Sequence, residues 1–547
     1  MTRSKSARPR APGAALAGIS GSVFLLIAVV ALTARVAPPP TVSELAPQAL
    51  RQITESSTGP GGSAGGGLGA EGGIPPTPPA DATGRATGRE DAIEVARVRR
   101  CIGNPPRQIE DPQSPPCVPY WEGNNLGATA RGVTGTEIRV AIGNSGLLTE
   151  ANIKLYQDFF NRRFEFYGRQ LNLISYPAAP PASSATQMQQ DAVRVESEIE
   201  AFAATQYSEQ DGRHDVYYNA LAERKILGIM TGSLGLARTN EDTMRRFAPY
   251  QWDYTPSSDR MFRGYGQFIC NVLAGRPARY AAPPQSQLPT RGFGIIVDTG
   301  YLDTPPYDIG PLKEALSGCG VTPVVAEWDQ GPASAATIMV NFQRPEANVT
   351  SVMYTGSGSL LALRLMPAAS GQGFHPEWLV WDLGYQDTDS QAQFYPKDQV
   401  SQVLGLQVYN KTLRLEDTPY MWAAKEMDPT AAPVGDQYLR FYESLLVLSS
   451  GIQMAGPRLT PQTFEQGLMK TQFPNPGAGG PPFYQARAGF PGVHTMQQDM
   501  AMIWLSATER SPITGQSPAF CYVRLGKRYG LGEWPREDIP FREGPCR

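Results

Sequence analysis

Histidine is scarce in this chain. Among 547 residues there are 3, His214, His375 and His494, far apart and without metal-ligand spacing. That scarcity argues against a catalytic zinc site and against a His-based nucleophilic triad. Charge of either sign is also in short supply as a net quantity: 48 Lys and Arg against 51 Asp and Glu leave −3. Such a balance offers no broad basic field for a nucleic-acid backbone. None of the 6 cysteines forms C-x-x-C, the spacing of thiol redox and many zinc motifs.

Long apolar runs are equally rare, and the exception is at the start. Arg3, Lys5, Arg8 and Arg10 precede "GAALAGISGSVFLLIAVVALTA", residues 13–34. At about 1.5 Å per residue this run can span a bilayer, and the positive flank predicts a cytoplasmic N-terminus with the bulk of the chain outside. The rival is a cleavable signal peptide. The run exceeds an ordinary h-region, and neither a convincing small-x-small cleavage site nor a cysteine for lipidation follows it. An uncleaved anchor over residues 1–36 is therefore expected. All six cysteines (Cys101, Cys117, Cys270, Cys319, Cys521, Cys546) lie beyond it, as suits an oxidising compartment and up to three disulfides. Nearest-neighbour pairing, Cys101–Cys117, Cys270–Cys319 and Cys521–Cys546, is the simplest arrangement; free buried thiols are the alternative.

Residues 37–100 are Pro, Gly, Ala and Ser with little periodicity. Such a segment buries too little apolar surface to offset its ordering entropy and reads as a disordered tether. It contains "GGSAG" around Ser63 and "GLGAEG", residues 67–72. Those match nucleophile-elbow and dinucleotide patterns, but neither follows a strand nor opens a helix, so both come from glycine abundance.

From Cys101 onward the pattern changes. "GTEIRVAIGNSGLLTE" reads as a strand, a loop of small polar residues, then a helix over 149–167. "GRQLNLISYPA" is a second strand, and an amphipathic helix is predicted over 185–202, with Met188, Ala192, Val195 and Ile199 on one face. "AFAATQY" and "ILGIMTGSLGL" continue the series of strands. After a helix over 257–274, "GFGIIVDTGYLD", "VTPVVAEWD", "VTSVMYTGSGS" and "EWLVWDLGYQ" alternate with helices in a second series. Helices, a strand-like "MAMIWLSA" and a Pro/Gly-rich tail follow residue 402. Strands alternating with helices of this length predict parallel βαβ units, and strands ending in polar loops are how open α/β sheets present ligand sites.

Several segments carry a resemblance. "ARGVTGTEIRVAI", "YGRQLNL", "DAVRVESEIEAFA", "APYQWDYTPSSDRMFRGYGQFICNVLAGRPARYA", "HPEWLVWDLGYQDTD" and "SSGIQMAGPRLTPQTFEQGL" occur in this order. The set resembles the type 1 periplasmic binding proteins, in the branched-chain amino-acid (Leu/Ile/Val) binding branch, and covers the chain from about Cys101 to the C-terminus. The resemblance implies an α/β, two-lobed type 1 periplasmic-binding-protein fold, each lobe a mostly parallel sheet flanked by helices. Lobe 1 would be residues 101–254, with 405–490 returning to it; lobe 2 would be 255–404; 491–547 would hold the last hinge strand and the tail.

Carried over by position, the resemblance implies ligand contacts from Asn144, Ser145, Gln206, Tyr207, Thr231 and Ser233 in the first lobe. The second would supply Asp298, Thr299, Tyr301, Thr355, Ser357 and Asp382. Ser, Thr, Asn and Asp also cap helices in any α/β loop, so capping is the competing role for most of them. Asp382 could pair with a ligand ammonium or close a turn, and Tyr207, Tyr301 and Trp381 could stack on a ligand or belong to the core. The implied function is binding, without enzymatic activity, cofactor or metal: a small polar ligand (amino acid, amide or related organic acid) is captured for an ABC permease by a monomeric, membrane-anchored, extracytoplasmic protein. A sensing or scaffold ectodomain that signals to a membrane partner is the alternative on the same fold.

The tether yields the first test. Light proteolysis of membranes should cut between Pro38 and Arg89 and release the globular part intact, because no core protects that stretch. A soluble form beginning near Ala37 in untreated cells would contradict the uncleaved anchor.

Overall fold

The computed structural model describes residues 111–179, 184–207, 214–230, 240–300, 307–381, 383–433, 435–475 and 486–546, and the backbone of 101–102 and 107–108. The expected anchor and tether lie outside these residues. Among the described residues no helix is long and apolar enough to cross a membrane.

A two-residue antiparallel pair, β1 (Cys101–Ile102) with β2 (Arg107–Gln108), precedes the main body. The first sheet contains β3 (Glu137–Asn144), β4 (Gln170–Pro177), β5 (Ala203–Thr205), β6 (Leu227–Met230) and β7 (Gln251–Asp253). All five are parallel, in the order β4-β3-β5-β6-β7. The second sheet repeats that order. Its strands β8 (Phe293–Asp298), β9 (Val324–Trp328), β10 (Ser351–Tyr354), β11 (Glu377–Val380) and β12 (Val403–Gln407) run parallel as β9-β8-β10-β11-β12. Beyond β12 it is extended by antiparallel β13 (Asp499–Ser506), which pairs with β14 (Ala519–Tyr522) and β15 (Arg528–Gly530).

The strands read as they do because helices cover both faces. Every residue of β8, β10, β11 and β12 is buried, the signature of a parallel sheet enclosed on two sides. In β3, Ile138, Val140 and Ile142 enter one core and Ala141 enters another on the opposite face, as a period of two requires. The first of these cores also takes Phe441, Leu445 and Leu448 from the helix Asp436–Ala455 and Phe464 and Leu468 from the helix Pro461–Lys470. The chain therefore returns to the first sheet after building most of the second.

Helix starts follow local chemistry. Thr149 accepts a hydrogen bond from the Asn152 amide at the head of the helix Glu150–Arg163. Ser184 and Gln187 form a reciprocal capping box before the helix Ala185–Arg194. Two expected helices end differently. The first stops at Arg163 rather than 167, and the second continues as a π-helical turn, Val195–Ile199, and ends there because Glu200 turns left-handed, φ 52°. The region after residue 402 also departs from expectation. β12 comes before any helix, and the tail holds β14 and β15. Each is 5 residues or fewer, and its strand character comes from pairing across the sheet rather than from a local pattern.

Three passes join the two sheets, after β7, after β12 and before β13. The first and third are bonded to each other: the amides of Met496 and Gln497 donate to the carbonyls of Asp253 and Tyr254 at 2.9 and 3.0 Å.

Two of the expected disulfides are present. Cys270–Cys319 joins neighbouring helical segments over a separation of 49 residues, and Cys521–Cys546 fixes the tail to β14 over 25. Cys117 is disulfide-bonded as well; the side chain of Cys101 lies outside the described ones. Removing a native disulfide typically costs about 2–4 kcal/mol. Replacing Cys270 and Cys319 together by Ser should therefore lower the denaturant midpoint clearly without changing the far-UV spectrum. An unaltered midpoint would mean that this bond does not constrain the chain.

Candidate functional site

In a sheet of this order the strand sequence reverses between its first and third strands, and the crevice outside their carboxyl ends is the place for a ligand. Here that means the ends of β3 and β5 in the first sheet and of β8 and β10 in the second. The residues found there are those singled out from sequence: Asn144 and Ser145, Gln206 and Tyr207, Asp298 and Thr299, Thr355 and Ser357. Thr231, Ser233, Tyr301 and Asp382 lie outside the described residues.

Position is shared, but availability differs. The Asn144 carboxamide folds its own loop, accepting from the amides of Gly146 and Leu148 at 2.9 and 3.2 Å and donating to the Leu148 carbonyl at 2.8 Å. Ser145 is left exposed at the loop tip. It lines an open depression of about 510 Å³ together with Glu150, Ser175 and Tyr176. That depression sits between β3 and β4, one strand away from the reversal point, so the topology is the stronger guide.

Gln206 stands out. Its backbone is left-handed at φ 59°, a conformation that costs a non-glycine residue about 1 kcal/mol or more. Its side-chain Nε2 is buried and has no hydrogen-bond partner. A strained residue holding an unpaired donor at the reversal point is a candidate for contact with a ligand.

Tyr207 takes the core role. It is 2% exposed, stacks on Tyr217 with ring centres 3.8 Å apart, and donates from its hydroxyl to Asp191 at 2.9 Å. Trp381 is likewise internal, bonded through its indole N–H to the Tyr354 carbonyl at 3.0 Å and packed on Phe262 and Tyr265.

In the second sheet the polar side chains bond to each other. Asp298 accepts from the Gly300 amide and from Gln330 Nε2, both at 3.0 Å, and from the Tyr354 hydroxyl. This arrangement explains Gly356, where a Cβ would lie 2.1 Å from the Tyr354 hydroxyl oxygen and 2.6 Å from Asp298. Thr355 is fully buried and its hydroxyl accepts from the Asp298 amide at 3.3 Å. The Thr299 hydroxyl donates to the Trp328 carbonyl at 3.0 Å, and Ser357 caps the helical run that follows it. Four residues expected to touch ligand thus have partners within the fold.

Sequence reasoning missed a buried charge cluster between the sheets. Arg440, on the helix Asp436–Ala455, binds Glu443 at 3.0 Å and lies 3.5 Å above the ring of Tyr409 and 5.8 Å from that of Tyr385. Near it is Asp387, 1% exposed, with neither carboxylate oxygen hydrogen-bonded. Burial pushes Asp387, Asp253 and Glu443 each up to about 7, with Arg440 acting in the opposite direction on all three. Asp387 lies within "HPEWLVWDLGYQDTD", but its neighbour Arg440 is 53 positions away, so no local spacing could pair them.

No family model matches the chain, and no curated protein matches it. Solved structures do show similarity. An ABC transporter substrate-binding protein from Aeropyrum pernix is 14% identical, with a TM-score of 0.49, over 73% of this chain and 97% of its own. A branched-chain amino acid ABC transporter protein from Thermus thermophilus with bound valine is 12% identical, TM-score 0.47, over 73% and 97%. A solute-binding protein from R. palustris in complex with 4-hydroxybenzoate is 12% identical, TM-score 0.46, over 73% and 98%. These neighbours are substrate- or solute-binding proteins of ABC transporters, and the Thermus thermophilus protein is of the branched-chain amino-acid type. The present chain has two mostly parallel sheets flanked by helices.

The raised carboxyl of Asp387 gives a signed pH prediction. Between 3.8 and about 7 the folded chain holds this proton more tightly than the unfolded chain. Its contribution to stability is therefore complete below the ordinary carboxylate range and lost as pH rises through about 7. Asp387→Asn should melt higher than wild type at pH 8, with the difference closing towards pH 4. Should the variant melt lower at pH 8, the carboxylate is ionised and paired with Arg440 instead.

Proposed function

We propose that the protein is an extracytoplasmic solute-binding protein, held at the membrane by residues 13–34, that captures a small polar ligand between two lobes and presents it to an ABC permease. The observation that carries this reading is the repeated strand order. Two sheets, each with its own reversal point, are joined by three passes, so a ligand lying between the reversal points would touch both. Movement of one sheet unit against the other would then open and close the site around it.

Ligand chemistry follows from what the strand ends offer. The Ser145 hydroxyl and the unpartnered Gln206 amide at the first sheet are neutral hydrogen-bonding groups. They suit a carboxylate, amide or similar polar head, which agrees with an amino acid, amide or related organic acid. Thr231, Ser233, Tyr301 and Asp382 complete the proposed contact set. Asn144, Asp298, Thr299, Thr355 and Ser357 act one step back, by shaping the loops that carry the contacts.

A thermal-shift screen of the purified protein against small metabolites tests the reading. A ligand at 100 times its dissociation constant stabilises by about 2.7 kcal/mol. With the ligand found, Ser145→Ala and Gln206→Ala should each weaken binding about tenfold, the worth of one hydrogen bond to a charged group. The unliganded melting temperature should barely change. Asp382→Asn should matter only for a ligand that carries a cation. Wild-type affinity in all three variants, measured by titration calorimetry, would place the site elsewhere.

A further inference from the structure

The segment that leads from residue 110 into the first sheet is not a passive leader. Asp111, Gln113 and Ser114 are 2%, 1% and 2% exposed, unusual burial for polar residues in a turn before the first long strand. Asp111 accepts from the Gln113 amide at 2.7 Å and from the hydroxyl of Tyr442 at 3.0 Å. The first folds the strap on itself, and the second fixes it against the helix Asp436–Ala455.

The Gln113 carboxamide then reaches three separate parts of the chain. Its Oε1 accepts from the Tyr254 hydroxyl and from Asn410 Nδ2, the latter at 3.2 Å, and its Nε2 donates to the Ala486 carbonyl at 2.9 Å. Tyr254 is in the first pass between the sheets, and Asn410 is in the second. Ala486 leads into the third. The contacted groups also bind each other. Asn410 Nδ2 donates to the Tyr254 hydroxyl at 2.7 Å, and the Ala486 amide donates to Asn410 Oδ1 at 2.8 Å. One side chain from the start of the folded part thus closes a hydrogen-bonded ring through all three connections.

We propose that the strap of residues 111–114 is a clamp on the inter-sheet connections, with Gln113 as its key, so that unseating the strap loosens all three passes together. Position gives the device its use. The strap directly follows residues 37–110, which lead back to the expected anchor at 13–34. A pull or a binding event on that leader would act on the strap and, through Gln113, on the three connections. The clamp goes beyond the proposed transport role and depends on no ligand; that the passes act as hinges belongs to the earlier reading.

The test is hydrogen exchange by mass spectrometry on the full chain, comparing wild type with Gln113→Met and Ser114→Ala. Methionine keeps the volume and removes all three bonds. The Ser114 hydroxyl is buried without a partner, so Ser114→Ala leaves the ring intact and serves as the control. A clamp predicts exchange about tenfold faster in residues 251–257, 405–411 and 495–499 together in Gln113→Met. Protection in β3 and β8 should be kept, and Ser114→Ala should match wild type. Faster exchange confined to residues 111–117 overturns the proposal, as does loosening of only one pass. Should Gln113→Met lose protection throughout, Asp111→Asn, which weakens the seat on Tyr442 and keeps the Gln113 carboxamide, is judged by the same two outcomes. Small-angle scattering on the same samples keeps the readings apart. Loosened passes with unchanged dimensions would leave the clamp standing and count against the hinge.

Discussion

The backbone bonds between the first and third passes are the constraint on which the remaining structure depends. Asp253 accepts from the Met496 amide and donates its own amide to the His494 carbonyl, and Tyr254 accepts from Gln497. These bonds bring the last tenth of the chain, from His494, beside the end of β7. With that contact made, Trp252 is enclosed by Phe464, Phe490 and His494, and the helix Pro461–Lys470 has a place against the first sheet. Without it, β13 would be less firmly set against β12, whose far edge β13 covers.

The same region carries a concentration of buried charge that packing alone does not require. Arg440 neutralises part of the field of Asp253, Asp387 and Glu443, yet burial still dominates and keeps all three acids high. One guanidinium cannot compensate three carboxylates removed from water, because the desolvation of each ion outweighs a shared attraction. The stacking of Arg440 on Tyr409 lets a cation sit in a mostly aromatic setting. Buried ionisable groups of this kind stabilise less than apolar packing would, but they demand one geometry. They occur where the two sheet units meet, which is where the relative placement of the units is decided.

At the strand ends, capping and recognition use the same chemistry. Ser, Thr, Asn and Asp are suited to strand-to-helix loops because they satisfy open amides there. Most of these residues do so here. Asn144, Asp298 and Ser357 turn their oxygens towards their own loops. Gln206 differs because its backbone is left-handed and its buried Nε2 finds no partner in its own loop. Ser145 differs because the turn made by Asn144 pushes it outward. The candidate contacts are therefore the residues that local capping leaves over.

Much of the architecture was legible in the sequence because period and punctuation are local properties. Ile138, Val140 and Ile142 alternate, "GNSG" and "TGSG" interrupt, and helices restart behind Thr149, Ser184 and Ser357, so the two α/β series and their strand-end loops could be read directly. The composition of residues 37–100 and the apolar run at 13–34 were equally plain. Other features were not visible in this way. β12, β14 and β15 are short and owe their state to partners across a sheet. Tyr207 could be read as a ligand contact or a core residue, and only the packed chain shows it stacked on Tyr217 and bonded to Asp191. Arg440 met Asp387, and Gln113 met Tyr254, Asn410 and Ala486, over separations that no periodicity encodes. Hydrogen bonds and desolvation act over a few ångströms of space, whatever the distance along the chain. The sequence could therefore determine which elements form, while only the packed chain decided which polar groups were buried, which were paired, and which remained open to a ligand.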